Sequence, residues 1–315
     1  MNKAKEDNMR AVALTDHGNM FGAFKFVAEA AKVGVTPIIG CEFYMVEDRH
    51  KKEFTGGKRD KRYHQLLLAK NQKGYENLSK LCSLGYMEGL YSKYPRIDME
   101  LLKQYKEGLI ATTCCIASVI QQGILYKSEE EAEKTFKEWH ELFGDDYYIE
   151  LQRHDLGEID GTGKTQEDVN QILMKWSAKY EVPMIATNDS HYVDEEDWTA
   201  HDSHLCINTG DKISTPKGDG KGFRFGFPNS NFYFKTQAEM EKLFHDVPQA
   251  LDNTNLIVDK ITPPELKTAI LLPNYTLPHE FKDQNDYLRY LTFEGAKKRY
   301  GEITAEVEER LNFEL

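Results

Sequence analysis

Apolar residues recur along the chain in two rhythms, and the rhythms alternate. Short apolar runs stand at Arg10-Ala11-Val12-Ala13-Leu14-Thr15, Thr36-Pro37-Ile38-Ile39-Gly40, His64 to Ala69, Gly108-Leu109-Ile110-Ala111-Thr112-Thr113, Tyr147-Tyr148-Ile149-Glu150-Leu151 and Val182-Pro183-Met184-Ile185-Ala186-Thr187. Runs of this length predict strands, and their continuity predicts cover on both faces. Between them the spacing is helical. Phe21, Phe24, Val27, Ala28 and Ala31 predict a helix over 21–33, and another is predicted near Tyr75 to Leu84. Thr165-Gln166-Glu167-Asp168 is a capping-box pattern, after which Val169, Ile172, Leu173 and Trp176 share one helical face. Strand–helix alternation of this kind predicts an α/β domain of parallel strands with crossover helices, in a barrel-like arrangement.

Two segments break the alternation. His50 to Arg62 is basic and contains glycine, and Ile207 to Pro228 is rich in Gly and Lys. From about Ile270 the character changes. Leu272-Pro273 and Leu277-Pro278 read as a linker, followed by helical patterns over Asp283 to Tyr300 and Thr304 to Leu315. The chain therefore divides into 1–270 and 271–315.

Charge narrows the function classes. The net charge of −12 argues against a protein that coats nucleic acid generally, while leaving room for a local basic groove. Five irregularly spaced cysteines do not make a disulfide framework and suit a reducing cytoplasm. No apolar run has the length of a membrane span.

The chemistry-bearing side chains cluster by position. Asp16, His17, Glu42, Cys115, His154, Asp189 and His191 fall just after predicted strands, whereas His64 opens its strand. In parallel α/β folds the carboxyl ends of strands converge on one face, where sites are built. Imidazole, carboxylate and thiolate donors together suit Zn²⁺ or a similar transition metal, and their number suggests two or three ions. Each residue has a plainer reading alone. Thr15-Asp16-His17 and Asn188-Asp189-Ser190-His191 are also turn sequences. Glu42 also suits a lysine partner, His64 a satisfied core position, and Cys115 simple packing. His154, beside Arg153, suits contact with phosphate or solvent.

Ala13-Leu14-Thr15-Asp16-His17-Gly18-Asn19-Met20-Phe21-Gly22 resembles a motif of the polymerase-and-histidinol-phosphatase (PHP) domain, in the form carried by the alpha subunit of bacterial DNA polymerase III. The likeness continues, in order, through Pro37-Ile38-Ile39-Gly40-Cys41-Glu42, His64-Gln65-Leu66-Leu67-Leu68-Ala69-Lys70-Asn71, Ala111-Thr112-Thr113-Cys114-Cys115-Ile116 and Ala186-Thr187-Asn188-Asp189-Ser190-His191-Tyr192. It implies that His17, Glu42, His64, Cys115, Asp189 and His191 are metal ligands. Asp16 would orient His17 from behind, and His154 would support the site or face a substrate groove. The implied fold is a distorted (β/α)7 barrel followed by the start of a polymerase palm. The family's first motif, a His-x-His strand with a further ligand, would precede Met9. The expectation is thus a fragment that lacks the first strand with its three ligands and ends at the palm entry, without the polymerase aspartates, and that by itself does not polymerise and shows weak or no hydrolysis.

The resemblance implies a part of a replicative DNA-directed DNA polymerase, with Zn or Mn at the PHP site and Mg at the polymerase site. Implied partners are DNA, a proofreading exonuclease subunit and a sliding clamp. Three readings stay open: metal-dependent phosphoester hydrolysis, in some relatives a 3′→5′ exonuclease; a structural module that braces the polymerase and binds the proofreading subunit; and a free-standing phosphatase. Lys58, Arg59, Lys61 and Arg62 read either as a DNA contact or as a solvated loop.

Overall fold

The computed structural model of the chain describes all residues except 55–59, 219–220, 271 and 274. The described residues form two units, Met1–Leu266 and Lys267–Leu315. The first is built on a curled mixed sheet that forms a half-barrel. Its strands are β1 (Ala11–Leu14), β2 (Thr36–Met45), β3 (Tyr63–Ala69), β4 (Arg96–Ile97), β5 (Leu109–Thr112), β6 (Tyr147–Leu151) and β7 (Met184–Ala186). They lie in the order β1-β2-β3-β5-β6-β7, with β4 beside β2.

The expectation of parallel strands holds for β1 with β2, β5 with β6 and β6 with β7. It fails for β3, which runs antiparallel to both β2 and β5. The reason lies in the connection. A parallel pair needs a crossover that carries the chain back to its starting end. Among the described residues between Met45 and Tyr63 there is no helix to make one, so the chain re-enters from the end it left.

Alternation within each strand sorts residues onto two faces. Ile39, Cys41, Phe43, Leu67, Leu109, Ala111, Tyr147, Ile149 and Leu151 enter the larger core, with Trp139, Phe136 and Trp176 from the covering helices. Ile38, Leu68, Ile110, Tyr148 and Ile185 form a smaller apolar layer on the other face, closed by Ile257 from the helix Thr254–Lys260. The helix Gln166–Tyr180 starts at the predicted capping box, with Thr165 and Asp168 bonding each other's backbone.

The helix Ala23–Val33 turns a different face inward from the one expected. Phe21 and Phe24 are 82% and 63% exposed, and Ala28 and Ala31 are exposed too. The buried residues are Ala23 and Ala30, flanked by Phe26 and Val27. Small side chains let the helix lie close to β2, and that packing overrides the spacing of the bulkier residues.

In the second unit, Asp283 caps the helix Gln284–Tyr300 and Thr304 caps Ala305–Glu314. Phe281 packs against Tyr287 and Tyr290 at 4.7 and 5.0 Å between ring centres.

Phe136 is fully buried, with the rings of Trp176, Tyr147 and Tyr180 5.3–5.6 Å away. Phe136→Ala is expected to cost about 3–5 kcal/mol in urea unfolding. Phe24→Ala should stay within about 0.5 kcal/mol of the native chain.

Candidate metal centre

The smaller face of the sheet carries the site. Counting by two from its apolar layer, each strand passes from Ile38 through Gly40 to Glu42, or from Ile110 through Thr112 to Cys114. Tyr148 leads likewise to Glu150 and Gln152, and Ile185 to Thr187 and Asp189. On β3, which is reversed, the same steps run backward from Leu68 through Leu66 to His64. An isolated bridge between His17 and Glu42 extends the β1–β2 register, so His17 has the same parity. Gly40 has no room for a side chain, since a Cβ there would stand 2.6 Å from Leu68 Cδ2 and 2.8 Å from the Leu67 carbonyl oxygen. The reversed direction of β3 brings its first residues to the end where its neighbours finish. His64 therefore reaches the same place as ligands that end their strands.

Glu42 is the centre of the group. Its Oε1 lies 3.0 Å from His17 Nδ1 and 2.7 Å from His64 Nδ1. Both nitrogens stand at ion-pair distance, but neither meets hydrogen-bond geometry, so among the described residues this buried oxygen has no hydrogen bond. Burial opposes the Glu42 charge; the two imidazoles outweigh it and hold the carboxyl well below its ordinary range. Burial likewise disfavours protonated His64, but Cys115 and Glu42 prevail and push its pKa up to about 10.

Among the described residues, two sets of donor atoms gather within 4.8 Å of one another: His17, Glu42 and His64, and Glu42, Cys114 and Cys115. Cys115 Sγ is 3.5 Å from His64 Nδ1, and Cys114 Sγ is 3.7 Å from Glu42 Oε2. A buried carboxylate oxygen without a hydrogen bond, among imidazole and thiol donors, suits a divalent cation of intermediate softness.

The other expected ligands lie alongside. The His191 ring is 6.0 Å from that of His17, and the Asp189 backbone carbonyl is 2.7 Å from His191 Nδ1. Burial raises the Asp189 pKa, and the Glu42 charge raises it further. Neither residue belongs to the two tight sets. Asp16 departs from expectation. Its side chain is exposed and, among the described residues, makes no hydrogen bond or ion pair. Its contribution is through the backbone, where its carbonyl accepts the Glu42 N–H at 3.0 Å.

His154 is 1% exposed, and its ring stacks on Phe232. Nε2 faces the Asn188 carbonyl at 2.9 Å, and Nδ1 faces the Gln166 amide at 3.2 Å. These contacts support the strand end that carries Asp189; they do not face a groove. Lys58 and Arg59 lie outside the described residues. Lys61 Nζ sits 5.1 Å from the Tyr63 ring centre, and the Arg62 guanidinium lies 3.7 Å from that of Tyr94.

The PHP domain family matches residues 1–154. The chain carries a PHP domain. Across 100% of its length it is 44% identical to DNA polymerase III subunit alpha of Borreliella burgdorferi, covering 26% of that protein. The same subunit of Treponema pallidum is 38% identical over 99% of the chain, and that of Thermus aquaticus 39% over 92%. The matched part is the amino-terminal region of these relatives. The chain spans about a quarter of their length.

PHP domains are in general metal-dependent, and the donor sets fit that property. Two residues of this PHP domain escaped sequence reasoning. Cys114 was indistinguishable from a packed thiol; a φ of 57° ends its strand and brings both thiols to Glu42. Glu150 looked like one polar residue in an apolar strand. It is buried and accepts from the Thr112 and Thr187 hydroxyls, at 2.5 Å each, and from the Gln152 amide at 3.0 Å. Burial pushes its carboxyl pKa up. The two-residue step from Tyr148 was the available signal.

His154 yields a pH prediction. Burial lowers its pKa from 6.5 to about 4. The folded value lies below the unfolded one, so the unfolded chain binds the extra proton. Stability is therefore whole above about pH 6.5 and falls as the pH drops toward about 4, by up to about 3 kcal/mol. Urea unfolding at intervals from pH 7 to 4.5 should show this slope, and His154→Gln should flatten it.

Proposed function

We propose that the PHP domain of this chain binds two or three divalent cations, Zn²⁺ or Mn²⁺, and hydrolyses phosphodiesters of DNA. The ligands are His17, Glu42, His64, Cys115, Asp189 and His191, with Cys114 added. The reading rests on the meeting of His17, Glu42 and His64. A cation held there supplies Lewis acidity toward a phosphate oxygen. Glu42 provides the fixed negative charge and is buried, while the His17 side chain is 42% exposed and leaves the group open to solvent. Catalytic metal sites keep such an open position.

In the longer protein we assign this chain to the amino-terminal part of a cytoplasmic, Mg²⁺-dependent DNA-directed DNA polymerase. Lys267–Leu315 would be the linker and palm entry. DNA, a proofreading exonuclease subunit and a sliding clamp would be its partners. The relatives named above, each a DNA polymerase III alpha subunit, support this reading.

The Glu42–Cys114–Cys115 set favours a second role, because all three residues are buried. Closed sets are typical of structural metals, and this one suits a brace for the domain. Chelation should then lower the melting temperature of the native chain more than that of Cys114→Ser.

Calorimetric titration with Zn²⁺ and Mn²⁺ is expected to show binding that Glu42→Gln weakens more than about 100-fold, beyond the usual effect of losing an outer-shell partner. The native chain should hydrolyse bis(p-nitrophenyl) phosphate, weakly, with one of these ions. Measured metal binding without turnover of this diester or of single-stranded DNA, with Zn²⁺, Mn²⁺ or Mg²⁺, would reject the hydrolytic reading.

A further inference from the structure

A line of rings and cations leads away from the metal centre. The Tyr44 ring stacks against His17 at 6.0 Å, with 22° between planes, and meets His64 at 5.6 Å. Tyr94 packs against Tyr44 edge to face at 5.1 Å and 81°. The Arg62 guanidinium lies 3.7 Å from the centre of the Tyr94 ring, and Lys93 Nζ lies 5.9 Å from it. Neither the Tyr44 nor the Tyr94 hydroxyl has a hydrogen-bond partner among the described residues. Both tyrosines are half-buried, as is Arg62.

The arrangement is held from below. Arg62 Nη1 is 2.6 Å from Asp60 Oδ2, and Asp60 Oδ1 is 2.8 Å from Arg96 Nη1. The Arg96 side chain is 1% exposed and Asp60's is 5% exposed. Arg96 also donates to the carbonyls of Gly89, Arg49 and Lys51. A buried ion pair of this kind is weak evidence for stability, but it fixes where a segment lies. Here it fixes Arg62 over Tyr94. The turn that presents Lys93 and Tyr94 is closed by two backbone hydrogen bonds of 3.1 Å between Tyr91 and Tyr94. Two arginines share one aspartate, so the cluster keeps net positive charge in a chain of net charge −12.

We propose that Tyr44, Tyr94, Arg62 and Lys93 form a nucleotide subsite beside the metal centre, which takes a single-stranded DNA segment. Arg62 and Lys93 meet the backbone phosphate. The rings and the guanidinium plane meet the base, as aromatic and arginine surfaces do in single-strand binding. The nucleotide held there adjoins the one whose phosphate reaches His17, Glu42 and His64. This inference rests on the hydrolytic reading for the neighbouring phosphate, but its test reads binding separately.

The full chain is titrated into a 5′-fluorescein-labelled dodecathymidylate, and anisotropy is followed with Mn²⁺ present. Tyr94→Ala is expected to weaken binding about 5- to 20-fold, in the range of lost base stacking. Arg62→Ala should weaken it and reduce the slope of log affinity against log salt by about 0.7, one phosphate contact on a single strand. Arg62→Lys should restore the salt slope without restoring all the affinity. All three variants should bind Mn²⁺ in calorimetric titration as the native chain does. Native-like binding by both alanine variants would overturn the proposal. So would an equal loss of Mn²⁺ affinity, because the residues would then act through the metal centre. Hydrolysis of the diester by a native chain that does not bind the oligonucleotide would overturn the subsite and leave the hydrolytic reading standing. Binding that depends on Arg62 and Tyr94, without turnover of any diester, would support the subsite while the hydrolytic reading failed.

Discussion

A carboxylate inside a folded domain needs polar partners close by, and the end of this half-barrel is organised around that need. Glu42 sits in the wall of the sheet, not at its rim. Its partners are two imidazoles on separate stretches of chain. One follows β1 and approaches in the direction of Glu42's own strand. The other opens β3, and it arrives only because that strand runs backward between two neighbours. If β3 were parallel to β2, His64 would lie at the far end of the sheet, and Glu42 would have one imidazole instead of two.

The alternation of side chains carries this logic through the domain. The face that bears Glu42 begins with a dry layer of Ile38, Leu68, Ile110, Tyr148 and Ile185, sealed by Ile257. A middle layer of Thr112, Glu150 and Thr187 follows, in which hydroxyls bond a carboxylate. The donor layer of His17, Glu42, His64 and Cys114 lies above it. Polarity therefore rises in steps from the closed end to the open one. Glu150 meets its need by hydrogen bonds and Glu42 by imidazoles. That difference explains why burial pushes the Glu150 pKa up while that of Glu42 falls. The opposite face, packed against Trp139, Phe136 and Trp176, holds the strands in the register on which the layers depend.

Much of this was legible along the chain. Six of the strands, the capping box at Thr165 and the donor residues at strand ends depend on local patterns of polarity and turn chemistry, which a sequence displays directly. The inward face of the helix Ala23–Val33 was not legible, because Phe21 and Phe24 share a helical spacing as regular as that of the buried Ala23 and Ala30. Only the closeness of β2 selects between them. The resemblance implied that the carboxylate of Asp16 orients His17, yet adjacent residues at a strand end point different ways. Its backbone carbonyl does the supporting.

By itself the sequence determined the donor types, their place near strand ends and the alternation that groups them on one face. It also marked His64 as the exception that begins its strand. Tertiary structure alone decided why that exception belongs to the group, since strand direction depends on how the chain returns after Met45. It alone showed that Cys114 joins Cys115, through a backbone turn that composition does not reveal. It alone placed Arg62 over Tyr94 beside the donors, because that contact depends on Asp60 and the buried Arg96, far apart in sequence and joined only by the fold.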